Sequence, residues 1–275
     1  LRLTLAGRYT WVKQSEWGEP AYQASHFTPR IGLSWSIDGQ TSAYALYDQA
    51  FVPQAGRIYG GGKVKPITGN NQEIGIKRNW ANGNWNTALS LYRIVKENEL
   101  TSDPIHSDPN QSYSIVLGEK VARGFEFDLR GRILPGLEVT ANYAYTHAEI
   151  TELNEGVEGF EVGDIVPGYS THTSNAWLNY TIQRGPLRNA GISAGFTYLW
   201  DRKTYTGELE GFPFDDYFKL DAGIYYHFSS FNIRLNAFNL LDRYLYNGSY
   251  YEWNNAFYWQ TEPPRNLRLS IGYKF

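Results

Sequence analysis

Apolar and polar residues alternate with a period of two along most of this chain. The stretch FKLDAGIYYHF, residues 218–228, has Phe, Leu, Ala, Ile, Tyr and Phe at every second position, with Lys, Asp, Gly, Tyr and His between them. The same alternation occurs in TPRIGLSWSI (28–37), GFEFDLRGRI (124–133), LEVTANYAY (137–145), ISAGFTYLW (192–200), FNIRLNAF (231–238) and PRNLRLSIGYKF (264–275). This pattern predicts β-strands with one apolar and one polar face. No comparable stripe with a period of 3.6 residues occurs, so the chain is predicted to be all-β.

The connections between these strands alternate between short and long. Turn signals lie at DGQ (38–40), NGN (82–84), LPG (134–136), RGPLRN (184–189) and SS (229–230). Between them lie longer links over residues 13–27, 53–69, 101–112, 153–170, 204–214 and 244–263. We therefore expect about 12 strands in an antiparallel meander, with tight turns at one end and long loops at the other.

Two architectures fit such a meander. A soluble propeller or sandwich would bury its apolar faces inside, and this alternative stays open. An antiparallel transmembrane β-barrel turns its apolar face to lipid and has aromatic girdles at both interfaces. The chain is 16% aromatic, and rings lie near strand ends at Trp11, Trp35, Tyr145, Trp200 and Phe228. The polar faces carry many ionisable residues, which a small soluble core could not hold unpaired. These features favour the transmembrane barrel.

Charge and composition exclude several classes of protein. The net charge is −3 over 275 residues, which argues against a nucleic-acid partner. The chain has no cysteine, so it has neither a disulfide framework nor a thiolate metal site. No uncharged apolar run reaches the roughly 18–20 residues of a membrane-spanning helix. The chain also has no methionine and begins within a strand-like pattern, so we expect it to be part of a longer protein.

Several segments carry motifs of one family, in that family's order. They include an F-x-P-R strand in residues 27–56, an E-x-G-x-K core formed by Glu73, Gly75 and Lys77, and an N-x-x-N-L-x-D stretch in residues 235–246. Further matching segments are ARGFEFDLRGRILPGLEVTANYAYTHAEI (122–150), VPGYSTHTSNAWLNYTI (166–182) and PRNLRLSIGYKF (264–275). Together they resemble the C-terminal half of the barrel of TonB-dependent outer-membrane receptors, in particular the ferric-siderophore branch.

This resemblance implies a barrel of about 22 strands around a separate plug domain. Residues 1–275 would be the C-terminal portion of the barrel, with the plug and the first strands absent from this chain. The family implies a monomer in the outer membrane of a Gram-negative bacterium, in contact with lipid and lipopolysaccharide. Energy for import would come from the TonB–ExbB–ExbD complex through the absent N-terminal region. Tyr273 and Phe275 would form the signal that the barrel assembly machinery reads.

The residues give no indication of catalysis. The five histidines are scattered without the spacing of metal ligands: His26, His106, His147, His172 and His227. YGGGK (59–63) lacks the spacing of a phosphate-binding loop. Glu97/Glu99 and Asp215/Asp216 could mimic a glycosidase pair, but solvated loop charge is the better interpretation. We therefore predict a protein that is not an enzyme, with no catalytic or metal site and no intrinsic cofactor.

Aromatic residues in the long links are the candidate binding site. Tyr and Trp offer contact area at low conformational cost together with a hydrogen-bonding group. The candidates for contact with a ferric siderophore, which would carry the iron, are Trp17, Tyr22, Tyr59, Tyr205, Phe212, Tyr250, Trp253, Tyr258 and Trp259. These rings could instead anchor the membrane interface or pack the loops together. Arg57, Lys63 and Arg202 could attract an anionic chelate or bind lipopolysaccharide phosphate.

The charges on the polar strand faces have a simpler expected role. We expect them to pair with one another or with the plug across a wet interior. They are Glu73, Lys77, Glu126, Asp128, Arg130, Lys219, Asp221, Arg234 and Arg268. The predicted function is active import of a ferric siderophore. A passive porin or an adhesin-like barrel is the alternative, and a soluble β-rich carbohydrate binder is the third possibility.

Overall fold

The computed structural model describes residues 1–14, 22–61, 63–108, 110–203, 215–251 and 256–275. Within these residues, twelve antiparallel strands form one sheet in the order β1-β2-β3-β4-β5-β8-β9-β10-β11-β12-β13-β16. They are β1 (Arg2–Gln14), β2 (Tyr22–Ser36), β3 (Thr41–Val52), β4 (Ile67–Trp80), β5 (Trp85–Glu97), β8 (Gly118–Leu134), β9 (Leu137–Leu153), β10 (Tyr169–Thr181), β11 (Ala190–Lys203), β12 (Tyr217–Phe228), β13 (Phe231–Phe238) and β16 (Asn266–Tyr273). The expected all-β meander is confirmed.

Two smaller ribbons and two short helical turns lie in the connections. β6 (Leu100–Ser102) pairs with β7 (Ser114–Val116), and β14 (Tyr246–Tyr251) pairs with β15 (Ala256–Thr261). The 3-10 turns are Tyr59–Gly61 and Ala81–Gly83. In the described part of the chain, no helix is long or apolar enough to cross a membrane.

All long connections lie at one end of the sheet, which we call the outer end. One predicted link is too long, because β2 begins at Tyr22, paired with Gln14, instead of after residue 27. The ladder between β1 and β2 runs without interruption from Arg2↔Ser34 to Gln14↔Tyr22, so the paired backbone extends the strands into the expected loop. The links at 101–112 and 244–263 are also partly ordered as the ribbons β6–β7 and β14–β15.

One face of the sheet is apolar and open to its surroundings. Leu5 is 68% exposed, Ile224 55% and Leu269 62%, and other large apolar side chains on the same face are similarly exposed. Each such side chain would lose about 1.5–3 kcal/mol of transfer free energy by facing water instead of an apolar medium. The repetition of this pattern over the strands assigns the face to lipid, as the sequence predicted.

Two belts of rings bound this lipid face. The outer aromatic belt consists of Tyr9, Trp11, Phe27, Phe125, Tyr143, Tyr145, His172, Tyr198, Trp200 and Phe218. The inner aromatic belt consists of Trp35, Trp80, Phe228, Phe231, Tyr273 and Phe275. On β12 the belts are separated by the ten-residue step from Phe218 to Phe228, about 34 Å along a strand. A strand tilt of about 40° reduces this to about 26 Å, close to the ~25 Å apolar band of outer-membrane barrels.

The polar face carries hydrogen-bonded side chains. Glu73 accepts a hydrogen bond from the Tyr44 hydroxyl, and the Lys77 ammonium lies 5.2 Å from the centre of the same ring. The Arg234 guanidinium lies 5.8 Å from the centre of the Tyr225 ring. These strand charges therefore have tyrosines as partners, which the sequence did not predict.

Candidate functional site

The connection between β3 and β4 (53–66) docks on the connection between β5 and β8 (98–117). The Ser114 amide donates to the Arg57 carbonyl over 2.7 Å. The Gln54 side chain donates to the carbonyls of Lys65 and Asn98 and accepts from the Leu100 amide. These bonds hold the two connections together at the outer end.

A group of aromatic and charged residues sits at this junction; we call it the Tyr59 cluster (Arg57, Tyr59, Asp103, His106 and Tyr113). The Tyr59 ring stacks on His106 with centroids 3.9 Å apart and planes 16° from parallel. Tyr113 meets Tyr59 edge-on at 5.4 Å, and the Arg57 guanidinium lies 6.0 Å from the Tyr113 ring centre. Tyr59 is still 55% exposed, so the cluster presents part of an immobilised ring to the outside.

Two glycines keep the surroundings of Tyr59 open. Gly60 and Gly61 have φ of +77° and +76°, the left-handed region that glycine adopts without strain. Among the described residues, a Cβ at either position would have no atom within 4 Å. In this part of the structure, the two glycines that follow Tyr59 are therefore not packed against other residues.

Asp103 fixes the position of His106. One carboxylate oxygen accepts hydrogen bonds from the backbone amides of Ile105 and His106, both at 3.1 Å. The other lies 2.8 Å from the His106 Nδ1. Asp103 is only 3% exposed; this burial opposes ionisation, but the hydrogen bonds from His106 outweigh it and lower the pKa of the Asp103 carboxyl.

A second feature of the outer end is a polar cleft of about 380 Å³, which we call the Arg202 cleft. It is lined by Arg202, Asp215, Asp216, Tyr217, Arg243, Tyr244, Leu245 and Tyr246. The Arg202 guanidinium donates to the carbonyls of Asp215 (3.1 Å) and Tyr246 (2.8 Å), so it joins the segment before β12 to the first residue of β14. The lining offers guanidinium, carboxylate and phenol groups, which can bind a ligand rich in oxygen atoms.

The structure describes the environment of only part of the predicted site. Tyr59 lies in the Tyr59 cluster as described above. Trp17, Tyr205, Phe212 and Trp253 lie outside the described residues. Tyr22 is the first residue of β2 and belongs to a strand, which corrects its expected place in a loop. Tyr250, Tyr258 and Trp259 belong to the β14–β15 hairpin, where Ser249 pairs with Tyr258 and Gly248 with Trp259.

The predicted cations also fall at the outer end. Arg57 belongs to the Tyr59 cluster and Arg202 to the cleft, while Lys63 is exposed in the connection between β3 and β4. Asp103 and His106 were not among the site residues predicted from the sequence. The spacing of three residues between them was the only signal available in the sequence, since it lets the carboxylate of Asp103 reach the imidazole of His106.

The described residues hold no cluster of three or more histidines and carboxylates arranged to bind a metal.

Comparison with known proteins decides the family. Residues 1–240 match the family model "TonB dependent receptor-like, beta-barrel". The chain belongs to this family. Receptors of this family are outer-membrane proteins of Gram-negative bacteria, and this is the location of the present protein.

Two curated relatives and one solved structure illustrate the similarity. The ferric-pyoverdine M114 receptor PbuA of Pseudomonas sp. (strain M114) is 27% identical over 100% of this chain and 34% of its own length. The metal-pseudopaline receptor CntO of Pseudomonas aeruginosa (strain UCBPP-PA14) is 28% identical over 89% of this chain and 33% of its own length. The chain thus spans about a third of the curated relatives it matches.

The solved structure is the ferripyoverdine receptor of the Pseudomonas aeruginosa outer membrane bound to ferripyoverdine. It superimposes with a TM-score of 0.77 at 23% identity, over 99% of this chain and 36% of that one. At this identity the superposition concerns the fold, and it confirms the antiparallel barrel architecture.

Proposed function

We propose that this chain is part of an outer-membrane receptor that binds a ferric siderophore and imports it with energy coupled through TonB. The observation that carries the proposal is the Tyr59 cluster, a partly exposed ring held in place at the outer end of a family barrel. The relatives described above are receptors for a ferric pyoverdine and for metal-pseudopaline, by their names. The protein would supply no cofactor of its own, because the iron arrives within the chelate.

The ligand would contact the outer end at several points. Tyr59 would stack against a flat part of the chelate, and the Arg202 cleft would bind its oxygen-rich groups. The other proposed contacts are the rings predicted from the sequence: Trp17, Tyr22, Tyr205, Tyr250, Trp253, Tyr258 and Trp259. An aromatic surface with a few oriented polar groups suits a bulky chelate.

We also propose that the sheet is completed by further strands. Within the described residues, β1 pairs only with β2, and β16 pairs only with β13. Unpaired backbone groups in hydrocarbon cost several kcal/mol each, so a sheet with two open edges cannot remain open there. Additional strands would complete a barrel of about 22, around a plug that contacts the TonB–ExbB–ExbD complex.

Tyr273 and Phe275 are proposed to serve as the signal for the barrel assembly machinery. Their rings meet edge-on at 5.1 Å, and Phe275 is fully exposed beyond the end of β16. Two exposed rings on the inner belt are accessible to a partner before the barrel closes.

Equilibrium binding tests the proposed site. In detergent, the full-length receptor should show quenching of tryptophan fluorescence by ferric pyoverdine or metal-loaded pseudopaline. Tyr59→Ala should weaken that binding about tenfold, or about 1.4 kcal/mol, because it removes the stacking surface. Tyr59→Phe should retain most of the affinity, since the ring remains.

Tyr180→Ala is the matched control, because Tyr180 is a ring on the lipid face near the tight turns. It should leave affinity unchanged. If no iron chelate in a broad panel quenches the fluorescence, the proposed binding of a ferric siderophore is wrong. If Tyr59→Ala binds like the wild type, the site lies elsewhere at the outer end.

A further inference from the structure

Two irregular segments, 239–245 and 262–265, connect the β13–β16 ladder to the β14–β15 hairpin, and we call them together the joint. The ladder between β13 and β16 ends at the pair Phe238↔Asn266, and the ladder of the hairpin begins at Tyr246↔Thr261. Between the two ladders, the longer segment 239–245 faces the shorter segment 262–265. The course of the hairpin therefore depends on how this joint is held.

Asn239 makes the first of two ties in the joint. It is 1% exposed and has φ of +52°, a left-handed conformation that asparagine tolerates better than most residues. Its side-chain amide donates to the Arg243 carbonyl (2.8 Å) and its amide oxygen accepts from the Arg243 backbone amide (3.1 Å). Its own backbone amide donates to the Asp221 carboxylate of β12 over 2.8 Å. Asn239 thus folds the segment back on itself and fastens it to the sheet.

Glu262 makes the second tie from the opposite side of the joint. Its carboxylate accepts hydrogen bonds from the Tyr217 hydroxyl and the Lys219 ammonium, both at 2.7 Å. Its backbone amide donates to the carbonyl of Leu245, which is buried. Burial opposes ionisation of Glu262, but Lys219 and Tyr217 outweigh it and lower the pKa of the carboxyl.

The two ties enclose the residues that line the Arg202 cleft from the hairpin side. Arg243, Tyr244 and Leu245 lie between Asn239 and the first hairpin residue, Tyr246, which pairs with Thr261 next to Glu262. The Arg243 guanidinium lies 5.7 Å from the centre of the Phe218 ring. Neither Asn239 nor Glu262 lines the cleft itself. Instead, they hold in position the residues that line the cleft on the hairpin side.

We propose that Asn239 and Glu262 are positioning residues that hold the β14–β15 hairpin and one wall of the Arg202 cleft in the arrangement a ligand requires. The effect on ligand affinity rests on the proposed function, whereas the effect on the hairpin does not. The same geometry accounts for the N-x-x-N-L-x-D stretch. Its Asp242 accepts the Arg265 backbone amide at 2.8 Å, so the motif ties the two sides of the joint together.

Hydrogen–deuterium exchange of the full-length receptor without ligand tests the proposal. Asn239→Ala removes the side-chain bonds and places alanine at a strained positive φ. Backbone amides of β14 and β15 should then exchange about tenfold faster, while those of β12 and β16 keep their protection. Asn239→Asp retains the acceptor but loses the donor, so an intermediate rate is expected. Glu262→Gln keeps the Tyr217 bond and loses the Lys219 charge pair, and should also be intermediate.

Two matched variants at the opposite end of the barrel serve as controls. Asn232→Ala changes the same residue type in β13, and Glu138→Gln changes a carboxylate that lies 4.0 Å from Arg132. Neither should alter exchange in the hairpin. Equal hairpin exchange in Asn239→Ala and the wild type overturns the proposal.

Binding of ferric pyoverdine then separates positioning from general stability. Asn239→Ala should weaken binding about tenfold, with the variant still assembled as judged by its heat-modifiable migration on gels. Faster hairpin exchange with unchanged affinity would contradict the positioning role. If the wild type binds none of the chelates, the proposed function fails, and the exchange result alone supports or overturns the tie between these residues and the hairpin.

Discussion

At the scale of single residues, the outer end depends on small polar groups that hold larger rings. Asp103 is almost fully buried and directs His106 under Tyr59. The sequence identified Tyr59 as a candidate because its aromatic character is visible in the pattern. It could not identify His106, because the stack joins two loops that are far apart in the chain and have no periodic pattern. The contact follows from the docking of Ser114 on Arg57, which only the fold determines.

We expect ligand binding at the Tyr59 cluster to weaken at acidic pH, because the Asp103 carboxylate becomes protonated. The pKa of Asp103 is lower in the folded protein than in the unfolded chain, so the ionised carboxylate stabilises the cluster fully above the unfolded pKa of about 4. This stabilisation is lost as the pH falls through the lower pKa of the folded state. Titration of chelate binding from about pH 7 to about pH 3 should show this loss of affinity. Asp103→Asn keeps an acceptor for the two backbone amides but removes the charge, so affinity should be lower at neutral pH and this acid-dependent step should disappear.

Asp108→Asn is the matched control in the same connection, where Asp108 is exposed and accepts the amides of Asn110 and Gln111. It should retain the acid-dependent step of the wild type. An unchanged step in Asp103→Asn would show that another group is responsible.

At the scale of elements, the strands were the most predictable part of the molecule. Period-two alternation in several segments, together with the spacing of the turns, predicted about twelve strands with an apolar and a polar face, because each residue of a strand points opposite to its neighbour. The ribbons β6–β7 and β14–β15 were not predicted. Their strands have three and six residues, too few for alternation to be distinguished from an irregular loop.

The assignment of faces predicts how the strands tolerate charge. Ile224 lies on the lipid face of β12 about midway between the two aromatic belts. Ile224→Arg should reduce the free energy of unfolding by about 2–4 kcal/mol, because the guanidinium would be placed in hydrocarbon. Urea titration of the full-length receptor in lipid vesicles measures the change.

Ser193→Arg is the control, since Ser193 pairs with Gly223 on the polar face of the adjacent β11. A new arginine there would meet water and should change the free energy of unfolding far less. Equal losses in the two variants would contradict the assignment of the faces.

At the scale of the whole molecule, the two open edges of the sheet and the family match lead to the same picture. In its described residues, the chain provides twelve adjacent strands of a receptor barrel and parts of the loops at their outer end. The sequence predicted this architecture through motifs spread over nearly its whole length. The ligand could not be predicted in the same way, because specificity lies in the conformation of loops and in contacts between them. Asn239 is an example: the motif is visible in the sequence, but its role depends on bonds to Asp221 of β12 and to the carbonyl of Pro263 on the opposite side of the joint.

The proposed function is energy-coupled import of a ferric siderophore, as opposed to passive diffusion through a porin. Uptake of a radioactive-iron chelate, such as ferric pyoverdine, by cells with and without the full-length receptor tests it most directly. Energy-coupled import should require the receptor, saturate with chelate concentration and stop when a protonophore removes the proton gradient. Receptor-dependent uptake that continues undiminished in the presence of the protonophore would contradict it and indicate a passive channel.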